Sequence, residues 1–201
     1  MKKLLIATTN QGKLREFNQL FKEFSLEIMS LQDFPTAPDV EETGTTFSEN
    51  ARLKAETLAA LTQLPTLADD SGLMVDALEG APGVYSARYA GEAKNDQANI
   101  EKVLHEMKDV PDEARTASFV CVLALAIPGK ATRYLEGKLP GVITKEPIGD
   151  HGFGYDPIFY VPDLNNTLAE LSSEQKNAIS HRAKAMEHLR AMWQEIERDL
   201  K

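Results

Sequence analysis

A short apolar run, Leu4 to Ala7, ends in the polar stretch Thr8-Thr9-Asn10-Gln11-Gly12-Lys13, after which Leu14, Phe17, Phe21 and Phe24 recur at helical spacing. Leu26 to Met29, apolar except for Glu27, gives a second strand. A run of four apolar residues such as Leu4 to Ala7 is too short for a helix and suits a buried strand, whereas a stripe at every third or fourth position suits an amphipathic helix. Strand, polar loop, helix, strand is the repeating unit of α/β proteins, so this opening predicts helices packed on a sheet.

The rest of the chain extends that pattern. A Pro-containing acidic loop through Pro35, Pro38, Asp39, Glu41 and Glu42 leads to Thr46-Phe47-Ser48-Glu49, which fits a capping box with Thr46 as N-cap and Glu49 reaching back. Phe47, Ala51, Ala55 and Leu58 continue one face of the helix. Leu67-Ala68 and Leu73 to Val75 read as strands, and glycines at 80, 83 and 91 bracket an irregular stretch. Ile100, Val103, Leu104 and Met107 form a further helical stripe. Strands are predicted over Ala117 to Ile127 and Ala131 to Gly137, joined at Pro128-Gly129 in the manner of a hairpin, and over Pro157 to Val161. Ile179, Met186, Leu189, Trp193, Ile196 and Leu200 describe one long amphipathic helix at the C-terminal end. The pattern contains no internal repeat and no linker, so residues 1–201 read as a single domain.

Composition narrows the function classes. The 201 residues are 42% hydrophobic, enough for a sizeable core. With 31 acidic and 22 basic residues the net charge is −9, which disfavours a partner that is nucleic acid, since such binding needs a basic footprint. The single cysteine, Cys121, lies inside an apolar run and reads as a buried, inert thiol. Met1 to Ala7 imitates a signal peptide only faintly, its apolar part being too short, and no stretch is long enough to span a membrane. The expectation is a cytoplasmic protein with no membrane partner.

Five groups of residues can carry chemistry. Asp69 and Asp70 close the run Leu67-Ala68 and precede Ser71-Gly72. Adjacent side chains on an extended segment point to opposite faces, so one carboxylate faces a ligand and its neighbour faces away. Carboxylates suit Mg²⁺, which takes one or two of them and completes its shell with water and phosphate oxygens. A surface Asp-Asp-Ser-Gly turn accounts for the same residues equally well. Thr8 to Lys13 stands between strand and helix, where backbone N–H groups favour anions and the Lys13 ammonium can pair with phosphate. It is not a Walker loop, because the first glycine is missing and Leu14 follows the lysine; a solvated polar turn is the competing reading. Glu41-Glu42, before the capped helix, can bring a second carboxylate to a metal, and Lys54 lies on that helix. In Gly152-Phe153-Gly154-Tyr155-Asp156-Pro157 two glycines let Phe153 present its ring for stacking on a base, with Asp156 as an acceptor for the base edge; a tight turn around a core aromatic is the alternative. Lys176, Ser180, His181 and Arg182 form the last group; on one continuous helix Lys176 and His181 would lie about 140° apart.

The order of these blocks carries a resemblance that no single block does. Thr8 to Lys13, Glu41-Glu42-Thr43-Gly44 with Phe47 to Ala51, Ala68-Asp69-Asp70-Ser71-Gly72-Leu73, Gly80-Ala81-Pro82-Gly83 with Ser86-Ala87-Arg88-Tyr89, Gly152 to Pro157 and Ser180-His181-Arg182 together resemble the inosine triphosphate pyrophosphatase family. The match spans almost the whole chain, with Thr9 standing where that family frequently has glycine. The resemblance implies an elongated α/β fold with a long mixed sheet, flanking helices and two lobes around a central cleft, and a homodimer. It implies hydrolysis of dITP, ITP and XTP between the α- and β-phosphates with Mg²⁺. Carried over, Thr8, Thr9, Asn10, Gln11, Gly12, Lys13 and Ser71 hold the triphosphate with Lys54 in support. Asp70 is metal ligand and proton acceptor, with Glu42 and Glu41 in the metal shell. Phe153, Gly154, Tyr155, Asp156, Lys176, His181 and Arg182 bind the nucleotide and its base.

Selectivity has a chemical basis. A 6-oxo purine accepts a hydrogen bond where adenine donates one, so donors from His181, Arg182 or nearby backbone N–H groups would mispair with ATP. Two other classes remain open from residues alone. A non-catalytic nucleotide-binding module would keep Lys13 and Phe153 but have little use for the acidic set. A receiver-type signalling domain would place its acidic pair after the first strand, where Thr8 and Thr9 stand.

Overall fold

The computed structural model describes residues 2–22 and 24–200. Its strands are β1 (Lys2–Ile6), β2 (Leu26–Ser30), β3 (Thr66–Val75), β4 (Thr116–Ala126), β5 (Arg133–Ile143), β6 (Phe159–Val161) and β7 (Asn166–Thr167). Its helices are α1 (Gln11–Leu20), α2 (Phe47–Thr62), α3 (Asp96–Glu106), α4 (Ser173–Ile179), α5 (His181–Ala191) and α6 (Trp193–Asp199), with short 3₁₀ turns between. The seven strands form one sheet in the order β2-β1-β3-β4-β5-β6-β7. It is mixed: β1 pairs in parallel with β2 (Leu4 opposite Ile28) and β3 (Leu5 opposite Thr66), and β5 pairs antiparallel with β6. The predicted α/β class with a mixed sheet and flanking helices is what the chain adopts.

Burial along the strands explains their places. Every residue of β4 after Thr116 is buried, as in a central strand covered on both faces, whereas β5 alternates between exposed and buried from Tyr134 to Gly141, one face in and one out. The chain divides into two compact units. One comprises residues 1–70, 121–137 and 183–201; the other comprises 71–120 and 138–182. The chain passes between units inside β3, β4, β5 and α5, so neither is a contiguous segment. Each has its own core. In the first, Phe17, Leu67, Leu123 and Met186 are among the buried residues, and in the second, Leu73, Val103, Phe119 and Phe159.

Several boundaries differ from the sequence reading. The predicted runs at 67–68 and 73–75 are one strand, β3, because Asp69 to Gly72 continue the extended backbone, and with that the Asp-Asp-Ser-Gly surface turn is overturned. Helix α1 ends at Leu20, and Phe24 lies beyond it, edge-on to Trp193 with ring centroids 4.5 Å apart. The stripe from 179 to 200 is not one helix. Ser180 is extended (φ −60°, ψ 156°) and separates α4 from α5, so the 140° offset between Lys176 and His181 has no meaning here. The strand expected from Pro157 starts at Phe159, because Asp156–Ile158 is a 3₁₀ turn, and the two-residue β7 carries too little pattern to be seen in advance. Among the described residues no helix is long and apolar enough to cross a membrane.

Candidate active site

In the first unit, β1 lies between its parallel neighbours β2 and β3, so the chain leaves β1 toward one side and returns on the other. The carboxyl ends of strands at such a reversal are where α/β sheets place ligands. Thr8 to Lys13 emerges from β1 there, and Asp69 and Asp70 lie in β3 beyond the paired residues Ile6 and Leu67. Asn10 caps α1 by accepting from the Lys13 N–H at 3.1 Å, and its own N–H donates to the Thr8 hydroxyl at 3.2 Å. Thr9, Asn10 and Gln11 are exposed, whereas Lys13 is largely covered and its ammonium pairs with Asp69 Oδ2 at 2.8 Å.

Helix α2 supplies the other side of the cluster. Its capping box forms as the sequence predicts: Glu49 accepts from the N–H groups of Thr45 and Thr46, and Thr46 accepts from the Glu49 N–H. The box fixes where the helix begins, and Asn50 and Lys54, four residues apart, then share one face. Asn50, fully buried, donates to Asp70 Oδ2 at 3.1 Å and accepts from the Gly44 N–H at 2.8 Å. Lys54 donates to the Asp69 carbonyl at 2.6 Å and to Glu42 Oε1 at 2.8 Å, with Asp70 Oδ1 at 3.9 Å. The alternation expected of an extended segment thus sends Asp69 to Lys13 and Asp70 to Asn50 and Lys54. Glu41 is exposed and outside these contacts.

Asp70 is only 5% exposed, and burial pushes its pKa up to about 6 from an ordinary 3.8. Lys54, Lys13 and the Asn50 amide pull it down, while the Glu42 carboxylate adds to the rise. Lys54 moves in the complementary sense. Burial alone would lower its pKa, but the carboxylates of Asp69, Asp70 and Glu42 outweigh that and raise it. The cluster therefore gathers more negative charge than its lysines offset, a setting suited to a divalent cation. Among the described residues no three His, Cys, Asp or Glu side chains form a complete metal cage. Two carboxylates around one ammonium are instead the partial set that Mg²⁺ uses when phosphate oxygens supply the remainder.

The second unit holds the remaining candidates. Gly152 (φ +78°) admits the fold of its loop: a Cβ there would stand 2.0 Å from Asp156 Oδ2. That oxygen accepts from the Phe153 N–H at 2.9 Å and from the Lys176 ammonium at 2.6 Å, and the ammonium lies 4.5 Å from the centre of the Phe153 ring. Asp156 is thereby committed to holding the loop and the lysine. Tyr155 donates to the Ser86 carbonyl at 2.7 Å, and burial raises its pKa. His181 stacks on Phe119, centroids 4.9 Å apart and planes 12° from parallel. Arg182 is 1% exposed and donates to the Ser71 hydroxyl at 3.2 Å. Sequence reasoning quoted Asn50 and Ser86 within motifs but assigned them no part. The polar residue one helical turn before Lys54 was the only available signal for Asn50.

A sequence profile of the Ham1 family matches residues 4–192. The chain belongs to the Ham1 family. It is 57% identical over 196 residues to the dITP/XTP pyrophosphatase of Geobacillus kaustophilus, covering 98% of this chain and 96% of that one. Two solved Ham1 structures superpose on it. The Staphylococcus aureus protein is 47% identical with a TM-score of 0.87, covering 96% of this chain and 98% of its own. The Coxiella burnetii protein is 46% identical with a TM-score of 0.89, covering 97% and 100%. Family membership and the buried, lysine-flanked Asp70 favour an enzyme over a binding module. The acidic pair lies on β3 and not after β1, which also disfavours the receiver reading.

Proposed function

We propose that this chain hydrolyses the triphosphates of deaminated purines, dITP, ITP and XTP, to the nucleoside monophosphate and pyrophosphate, clearing them from the nucleotide pool. The observation that carries the reading is the buried Asp70, held by Asn50 and flanked by Lys54 and Lys13, in a chain whose full-length relatives are named dITP/XTP pyrophosphatases. Asp70 and Glu42 would hold Mg²⁺, with Glu41 as an outer carboxylate. Bound there, the ion would offset charge on the phosphate oxygens and bring the triphosphate's anhydride into a polarised state.

This chain's own residues supply the rest. Asp70, raised toward neutrality, positions the attacking water and accepts its proton; a base is most effective when its pKa lies near the working pH. The oxygen of that water becomes bonded to phosphorus as the α–β anhydride bond breaks, leaving monophosphate and pyrophosphate. Lys13 and Lys54 each have a carboxylate partner, and a triphosphate offers both ammonium groups additional oxyanions. Thr8 to Gly12 contribute hydroxyl and backbone donors to the phosphates, and Ser71, adjacent to Asp70 in the chain, contributes another.

Phe153 presents the stacking surface for the base. The N–H groups of Phe153 and Gly154 are already donated to Asp156 and Asp96, so the donors proposed for a 6-oxo group are the side chains of His181 or Arg182, or other backbone N–H groups near them. Resemblance to the inosine triphosphate pyrophosphatase family supports a homodimer, which light scattering on the purified chain tests. The enzymatic reading is tested by a panel of nucleoside triphosphates with separate detection of phosphate and pyrophosphate. ITP, dITP and XTP should turn over at least tenfold faster than ATP at equal concentration, since one mispaired buried edge is worth about 1–3 kcal/mol. Release of orthophosphate would instead indicate attack at the γ-phosphate and contradict the proposal.

A further inference from the structure

The three residues at the tip of the Phe153 loop are each held by a different element. Phe153 donates its N–H to Asp156 within the loop, and the Tyr155 hydroxyl reaches the Ser86 carbonyl. Between them the Gly154 N–H donates to Asp96 Oδ2 at 2.8 Å, across 58 positions of sequence. Gly154 has φ +60°, so the backbone must pass through the left-handed region at the one residue that Asp96 grips.

Asp96 is itself firmly placed. It is the first residue of α3, where a carboxylate suits the positive end of the helix, and Asn95 caps that helix by accepting from the Ala98 N–H at 3.0 Å. One polar stripe then ties α3 to the segment ending at Ala90. Asn99, 2% exposed, accepts from the Ala90 N–H at 2.7 Å and donates to the Ala87 carbonyl at 3.1 Å. Lys102 donates to the Tyr89 carbonyl at 2.8 Å with its ammonium 4.1 Å from the centre of the Tyr89 ring, and Glu106 accepts from the Tyr89 hydroxyl. The same segment holds Ser86, whose hydroxyl accepts from the Leu73 N–H at 2.9 Å and donates to the Gly83 carbonyl at 2.6 Å. Through Ser86 and Asp96 the Phe153 loop is thus fastened at two consecutive residues to one braced assembly.

We propose that Asp96 is a positioning residue for nucleobase recognition, its Oδ2 fixing Gly154 and thereby the presentation of the Phe153 ring. The inference rests on reading that ring as the base-stacking surface. Asp156 and Tyr155 are buried and their loss would disturb the core, but Asp96 is exposed, so its carboxylate can be removed with the surrounding packing intact. A loop released at this point samples other conformations before binding, and ordering it again weakens substrate binding more than it slows the chemical step.

The test compares Asp96→Ala with Asp96→Asn, whose amide oxygen can still accept from Gly154, in steady-state ITP hydrolysis and in amide hydrogen exchange of Gly154. In Asp96→Ala the KM for ITP should rise roughly ten- to a hundredfold, the range expected for loss of one charge-assisted hydrogen bond, with kcat within about twofold. Gly154 exchange should accelerate at least about tenfold, and Asp96→Asn should restore most of both. Unchanged KM and exchange in Asp96→Ala would overturn the proposal, as would a fall in kcat at constant KM. Equal impairment of Asp96→Asn would assign the effect to charge at the helix end and overturn it too. If the wild-type chain hydrolyses no nucleoside triphosphate, the functional reading fails by itself; accelerated Gly154 exchange in Asp96→Ala would still show the loop anchor, and its absence would refute that anchor separately.

Discussion

Replacing Asp70 with asparagine should raise stability while it removes activity, and the two effects have one cause. The buried carboxyl has its pKa raised to about 6 from 3.8, so the folded state favours the protonated form. Between those two values the native chain binds more protons than the unfolded one; the contribution to stability is full below about pH 3.8 and is lost as the pH rises through about 6. Two pKa units correspond to about 3 kcal/mol. Asparagine is uncharged throughout and escapes that loss. Relative to wild type, Asp70→Asn should therefore gain up to about 3 kcal/mol between pH 4 and pH 8, or roughly 6–12 °C in melting temperature for a chain of this size. Thermal melts followed by circular dichroism at pH 4, 6 and 8, with divalent metal chelated, measure the gap, and effects of titrating groups remote from Asp70 cancel in the difference. Mg²⁺ should narrow the gap by offsetting the carboxylate. ITP turnover at saturating Mg²⁺ should fall by at least about a hundredfold, the lower end for a lost general base. A gap independent of pH would refute the stability argument, and near-normal turnover in the folded variant would move the base to Asp69 or the Glu41-Glu42 pair.

Other substitutions separate the remaining parts. Lys13→Ala should raise the KM for ITP about tenfold or more, while Asp69→Asn, which leaves that lysine in place, should be milder in steady-state kinetics. Gly152→Ala drives a Cβ to 2.0 Å from Asp156 Oδ2; the carboxylate must shift away from the Phe153 N–H and Lys176, so KM should rise at least about tenfold and stability fall by about 1–3 kcal/mol in denaturant titrations. Arg115, 3% exposed, donates to the carbonyls of Met107, Val110, Ile143 and Thr144 and to no catalytic candidate. Arg115→Met should lower stability by about 3 kcal/mol in the same titrations and leave the KM for ITP unchanged.

What could be read in advance, and what could not, follows from the range of each interaction. The capping box at Thr46 and Glu49 is local, spanning four residues, and it forms as its sequence predicts. The strand-loop-helix opening is equally local, and it brings Thr8 to Lys13 to the end of β1. The partition of Asp69 and Asp70 to opposite partners follows from the period of a strand alone. By contrast, the break at Ser180 is invisible to a hydrophobic stripe, because apolar positions on either side of one extended residue still recur at plausible helical intervals. The buried Asn50, the Ser86 hub and the Asp96 anchor depend on contacts 13 to 69 positions apart. Polar residues serving at that range have no periodicity, and only the folded chain shows whom they meet. Asp156 illustrates the same limit: its place beside Phe153 is local, but its engagement with Lys176 comes from α4.

A single competition experiment bears most directly on the proposed activity. Equimolar ITP, GTP and ATP are incubated together with the chain and Mg²⁺, and all nucleotides, pyrophosphate and phosphate are resolved by chromatography over time. IMP and pyrophosphate should appear in equal amounts while ATP and GTP persist, their consumption at least about tenfold slower. Equal consumption of the three nucleotides, or accumulation of IDP with orthophosphate, would contradict a pyrophosphatase selective for deaminated purines.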